Sequence, residues 1–234
     1  MYNPSGQIFL FSEREVMKSV LAVFIFLFLA TGCQNDGELD SKSLGKVVSK
    51  GEGGKSSSKA SAFKPFYVYE NKGSRENHFV PSGFMPDGDC VTFSDRWQED
   101  CQDDKTCIKV EYDVECSADG QKWAGIYWLN PANNWGSRKG GFDLSGAKQL
   151  TFWAKGEEGG EQIQEVTIGG VEGMYPDSDK VIFGPIILSN KWKKYTVDLR
   201  GKDLTYISGG FSWSTEEAVN PVDCHFYLDN IRYE

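Results

Sequence analysis

The chain has 234 residues and carries 25 Lys and Arg against 34 Asp and Glu, a formal net charge of -9. Nucleic-acid binding draws on clustered basic side chains to release counterions, and no such cluster occurs in the globular part, so a phosphate-backbone partner is excluded. Aromatics make up 14% of the chain, with 7 Trp. That is more than a core of this size needs, so some serve a surface.

In chain order, residues 1–16 lack signal character and precede a good start at Met17, so they read as a misplaced start or an extension. Met17-Lys18 is followed by an apolar run from Val20 to Ala30, long enough for a signal-peptide core and too short to span a bilayer. The run ends in Leu29-Ala30-Thr31-Gly32-Cys33, which resembles the lipobox cut by lipoprotein signal peptidase. Residues 17–33 are therefore expected to be a lipoprotein signal peptide, with Cys33 as the lipidated new N-terminus. Each buried acyl methylene contributes about 0.8 kcal/mol, so several chains anchor the protein to a membrane. Gln34 rather than Asp follows the cysteine, which places the protein in the outer membrane if the host is Gram-negative.

Residues 34–63 are rich in Ser, Gly, Lys and Asp without apolar periodicity, as in Gly51-Glu52-Gly53-Gly54-Lys55-Ser56-Ser57-Ser58. Such a linker is a flexible tether with ends roughly 30 Å apart. From residue 64 to the end, short apolar or alternating runs are separated by Gly, Asp and Asn. Strands are expected over 66–70, 107–114, 123–129, 150–155, 162–168, 181–188, 194–199, 205–213 and 225–233. No segment sustains a 3.6-residue period, so the class is all-β, and this many strands favour a jelly-roll β-sandwich of two antiparallel sheets. Within 107–116 the alternation is clean: Ile108, Val110, Tyr112, Val114 and Cys116 on one face, Lys109, Glu111, Asp113 and Glu115 on the other.

Five cysteines follow Cys33: Cys90, Cys101, Cys107, Cys116 and Cys224. In an oxidising compartment an odd number cannot all pair. Cys101 and Cys107 flank a short polar loop and are the easiest to join; the others remain open. None has CxxC spacing, so zinc or redox chemistry is disfavoured.

The stretch Gly141-Phe142-Asp143-Leu144-Ser145-Gly146-Ala147-Lys148-Gln149-Leu150-Thr151-Phe152-Trp153-Ala154-Lys155-Gly156, with the ending Phe226-Tyr227-Leu228-Asp229-Asn230-Ile231, resembles galactose-binding-like β-sandwiches. More narrowly, it is similar to carbohydrate-binding modules of the kind grouped around family eleven. The resemblance implies a non-catalytic domain with a polysaccharide or oligosaccharide as partner. It also implies a structural calcium near the chain termini with Asp229 among its ligands; calcium takes six to eight hard oxygens, and Glu70, at the end of the first strand, is the carboxylate expected from the other end, against the plainer reading that Asp229 caps a bulge and Glu70 is a solvated charge. Asp87 and Asp89 form a weaker alternative site and more often mean an Asp-rich turn.

The densest feature is residues 123–136, Trp123-Ala124-Gly125-Ile126-Tyr127-Trp128-Leu129-Asn130-Pro131-Ala132-Asn133-Asn134-Trp135-Gly136. Alternation puts Trp123, Gly125, Tyr127 and Leu129 on one face and Ala124, Ile126, Trp128 and Asn130 on the other. Sugars present apolar C–H faces ringed by hydroxyls, so a site for them pairs flat aromatics with amides and carboxylates. Trp128, Asn130, Asn133, Asn134 and Trp135 are expected to form the platform, with Tyr127 beside them and Trp213, Arg75 and His78 as secondary members. Against this stands the plainer reading that Asn133-Asn134 makes a turn and Trp135 covers the sandwich edge. Trp153 is expected in the core. No GxSxG, HExxH or P-loop occurs, so an enzyme is disfavoured. A hydrolase or lyase on the same scaffold, and a structural envelope lipoprotein that binds a protein partner, remain the alternatives.

Overall fold

A computed structural model describes residues 62–86, 88–103, 105–116 and 120–234. Cys33, the signal peptide, nearly all of the tether and Asp87 lie outside the described residues. The described part is all-β. Its strands are β1 (Phe66–Tyr69), β2 (Val80–Met85), β3 (Val91–Trp97), β4 (Cys107–Tyr112), β5 (Trp123–Leu129), β6 (Gln149–Gly156), β7 (Gln162–Ile163), β8 (Glu165–Gly169), β9 (Lys180–Phe183), β10 (Ile186–Ile187), β11 (Lys193–Asp198), β12 (Gly209–Glu216) and β13 (Cys224–Tyr233).

Two antiparallel sheets form the sandwich. The first runs β11-β6-β13-β4-β3, with β1 added to the far half of β13, and the second runs β2-β5-β12-β8-β9. A small ladder joins β10 to β7. The clean alternation in β4 is realised, with Ile108, Val110 and Tyr112 buried and Lys109 paired with Glu111 at 2.7 Å outside.

Two strands go beyond the sequence expectation, and both are edges. β2 contains Pro81 and Gly83, poor strand residues that an edge tolerates because one side of its backbone needs no partner. β3 is mostly polar and caps the first sheet. Three expected strands are also altered, and the first, 162–168, divides at Gln164 into β7 and β8, which join different sheets. Residues 181–188 divide at Gly184-Pro185 into β9 and β10, which join different sheets, and 205–213 becomes a strand only from Gly209.

Large rings fill the space between the sheets. Trp128 of β5 meets Phe93 of β3 at 5.7 Å and Phe211 of β12 at 5.5 Å, and Trp213 of β12 packs edge-on against Phe226 of β13 at 4.9 Å. Offset and edge-to-face contacts of this kind contribute beyond the area that they bury. Cys101 bonds Cys107 as the spacing suggests, Cys90 bonds Cys116, and Cys224 keeps its thiol, which burial pushes up to about 12.

Candidate functional site

The outward face of the second sheet is built from alternate residues of its strands. Register places Trp123 of β5 opposite Glu216 of β12, Gly125 opposite Ser214, and Tyr127 opposite Ser212. On the far side of β12, Ser214 faces Glu165 and Ser212 faces Thr167 of β8. Beyond β8, Thr167 faces Ile182 of β9, which is exposed. On the near side of β5, Gly83 and Met85 of β2 lie opposite Tyr127 and Gly125. The result is a floor of glycines and hydroxyls with rings at its ends.

Trp135 supplies the most exposed of these rings, at 46%. It reaches the face from the 130–141 loop, crossing Tyr127 edge-on at 5.7 Å. The loop is braced from beneath. Tyr175 donates its N–H to the Gly136 carbonyl at 2.9 Å, and Gly136, with φ +79°, lies too close to the backbone of Glu172 for any side chain. Asp177 holds the neighbouring 170–179 segment in place. Its carboxylate accepts the N–H groups of Val171 (3.1 Å), Ser208 (2.6 Å) and Gly209 (3.1 Å), and the Ser208 hydroxyl at 2.7 Å. Tyr127 donates its hydroxyl to the Gly169 carbonyl at 2.7 Å, and burial pushes that phenol up to about 12. The Thr167 hydroxyl donates to Glu165 at 2.5 Å.

Only part of the expected platform belongs to this face. Trp135 and Tyr127 do, and Asn133 stands exposed beside Trp135, with φ +57° and its N–H donated to Ser82 Oγ at 2.9 Å. Trp128 and Trp213 are 0% exposed and offer no stacking face. Both point inward, on the faces of β5 and β12 opposite to Tyr127 and Ser212, which are themselves nearly covered at 9% and 4% exposed. Asn130 and Asn134 are spent on the loop. Asn130 donates to the His78 carbonyl at 3.0 Å and accepts from Gly141 N–H at 3.1 Å, while Asn134 is fully buried and donates to the Arg138 carbonyl at 2.9 Å. His78 packs its ring on Phe66 at 3.8 Å, and Arg75 stays exposed on the β1–β2 loop. Trp123, Ser212, Ser214, Thr167 and Glu165 were missed as site residues. Gly125 and Gly83 were the available signal, since a face carrying glycines fills a core poorly.

The first sheet also carries outward aromatics, including Trp153, which is half-buried opposite Lys194 and not in the core. Here residues 98–103 lie across the sheet. Trp192 donates its indole N–H to the Asp100 carbonyl at 2.8 Å, Lys155 pairs with the Asp100 carboxylate, and Lys155 Nζ sits 4.8 Å from the Tyr227 ring centre. Tyr227 and Lys155 are buried under this strap.

Asp229 lies beneath it too. It is 0% exposed, its Oδ2 accepts Gln102 N–H at 3.2 Å, and its Oδ1 has no hydrogen-bond partner. Burial first, and then the charge of Asp103, pushes its carboxyl up to about 7. An orphaned, buried carboxylate oxygen is a donor that a hard cation would take. Glu70 fits less well: it accepts the Ser74 hydroxyl, its N–H is held by Asn77 at 2.8 Å, and Asp103 is the carboxylate whose charge acts on Asp229. Asp89 is exposed in the turn after β2. Among the described residues no three His, Cys, Asp or Glu side chains converge as a metal shell.

No protein-family model matches the chain, and no curated protein matches it. Solved structures do. The family 11 carbohydrate-binding module of the cellulosomal cellulase Lic26A-Cel5E of Clostridium thermocellum aligns at 15% identity over 74% of this chain and 95% of its own, with a TM-score of 0.49. The family 30 module of a cellulosomal cellulase of the same organism aligns at 13% identity over 73% of this chain and 97% of its own, with a TM-score of 0.45. A family 29 module complexed with mannohexaose aligns at 10% identity over 73% of this chain and 90% of its own, also at 0.45.

Proposed function

We propose that the protein is a lipid-anchored, non-catalytic carbohydrate-binding protein that holds a polysaccharide at the cell surface. The observation that carries the binding is the outward face of the second sheet, where the exposed Trp135 and the half-buried Trp123 lie at either end of a floor of Gly83, Gly125, Ser212, Ser214 and Thr167. Trp123 and Tyr127 are four positions apart on one strand, which is about 13 Å. That span takes an oligosaccharide segment lying along the strand: its C–H faces meet rings, and its hydroxyls meet Ser and Thr hydroxyls that both donate and accept and Glu carboxylates that accept.

Anchoring rests on the lipobox at Cys33, and the tether lets the domain sweep the surface around it. Outer-membrane residence in a Gram-negative host is part of the same reading. Calcium is proposed as a structural ion at Asp229, with Asp103 rather than Glu70 as the companion carboxylate; bound there it would supply a counter-charge for the buried acid.

Affinity electrophoresis of the full-length protein through gels containing soluble polysaccharides tests the reading. Retardation by at least one glycan, lost in Trp135→Ala, is expected. Migration unchanged by every glycan would favour the structural lipoprotein, and release of reducing or unsaturated sugar would favour the enzyme.

A further inference from the structure

Resting on the glycan-binding reading, we propose that the Trp123 end of the face recognises an amino sugar, so that the bound glycan carries protonated amines. Four side chains define the place. Trp123 and Glu216 are directly opposed across β5 and β12, and Ser214 and Glu165 are directly opposed across β12 and β8. Directly opposed Cβ atoms are about 5 Å apart and diagonal neighbours about 7–8 Å, so Glu216 stands beside the indole and Glu165 lies one diagonal step from Glu216, its carboxylate accepting from Thr167. A shallow depression of about 110 Å³, lined by Trp123, Gln164, Ser214, Thr215 and Glu216, opens on the Glu216 side, with Glu165 outside its lining.

Charge is what makes this end selective. Among the described residues neither Glu165 nor Glu216 enters an ion pair; Glu165 accepts only the neutral Thr167 hydroxyl, and the nearby Lys122 is committed to Glu217 at 3.0 Å. Two uncompensated carboxylates beside an aromatic ring form a receptor for an ammonium group, which both carboxylates and the ring's π face attract. A charge-assisted hydrogen bond is roughly twice as strong as a neutral one. A neutral hexose lying over Trp123 would forgo that gain, and a uronic acid would meet repulsion. The Trp135 and Tyr127 end has no such pair, so the preference is confined to the sugar unit over Trp123.

Titration calorimetry with the full-length protein compares four oligosaccharides of equal length: oligoglucosamine, its N-acetylated form, cello-oligosaccharide and oligogalacturonate. Oligoglucosamine is expected to bind about tenfold more tightly than the acetylated and glucose forms, the size of one charge-assisted contact. Added salt should erode that advantage. Glu216→Gln and Glu165→Gln should each bring oligoglucosamine down towards the cello-oligosaccharide value without moving the melting temperature. Equal affinity for the free-amine and glucose forms, or a preference untouched by both substitutions, overturns the inference and leaves glycan binding standing. If none of the four binds, the inference falls, and the glycan-binding reading stands or falls on the polysaccharide gels.

Discussion

Trp135 lies across Gly83: a Cβ built on Gly83 would stand 2.8 Å from the indole Cζ2 and 2.8 Å from the Tyr127 Cβ. The most exposed ring of the face is therefore seated on the one residue type that leaves room for it, in a strand from the sheet edge. Gly83→Ala must displace the indole or the strand, and the exposed indole is the freer of the two. We expect glycan retention in affinity electrophoresis to weaken markedly, with only a modest loss of melting temperature. Unchanged retention would mean that Trp135 is no part of the platform.

Stability separates the tryptophans. Trp128 and Trp213 fill the space between the sheets, so replacing either with Ala should cost about 3–5 kcal/mol in denaturant unfolding. Trp135→Ala and Trp123→Ala give up partly exposed surface and should stay within about 1 kcal/mol of the parent while losing glycan. An early-melting Trp135→Ala variant would make the ring a structural cover for the sandwich edge.

Asp229 makes stability depend on pH in a calculable direction. Its carboxyl is held at about 7 in the fold, against about 3.9 in an unfolded chain. Between those values the native state keeps a proton that the unfolded state has released. In chelator, stability is thus fully present below about pH 4 and falls as pH rises through 7, by an amount on the order of a few kcal/mol. Asp229→Asn should flatten the profile.

Calcium should act on the same residue with the opposite effect. At neutral pH the ion should raise the melting temperature, adding about 2.7 kcal/mol of stability when calcium is a hundredfold above its dissociation constant. The response should vanish in Asp229→Asn and weaken in Asp103→Asn, while Glu70→Gln leaves it intact. A melt indifferent to calcium in the parent protein would leave Asp229 a buried neutral acid and nothing more.

The anchor is tested by Cys33→Ser. Processing by lipoprotein signal peptidase requires the lipidated cysteine, so the variant is expected to keep its signal sequence and to lose acyl labelling. Unchanged maturation would remove the lipoprotein reading.

The all-β class, the two-sheet sandwich and the Cys101–Cys107 bond were legible in the sequence, because strand alternation, turn residues and short loops are local properties. The same alternation correctly grouped Trp123, Gly125 and Tyr127 on one face of β5 and Ala124, Ile126 and Trp128 on the other. What it left open was which face turns inward, since both carry a tryptophan. That choice belongs to the partners: Phe93 and Phe211 close around Trp128, while Trp135 returns from a loop to lie over Gly83. The edge strands β2 and β3, the pairing of Cys90 with Cys116, and the strap that buries Asp229 are likewise contacts between residues distant in sequence. Periodicity says which side chains share a face, but only packing against another sheet decides which of two faces loses its water.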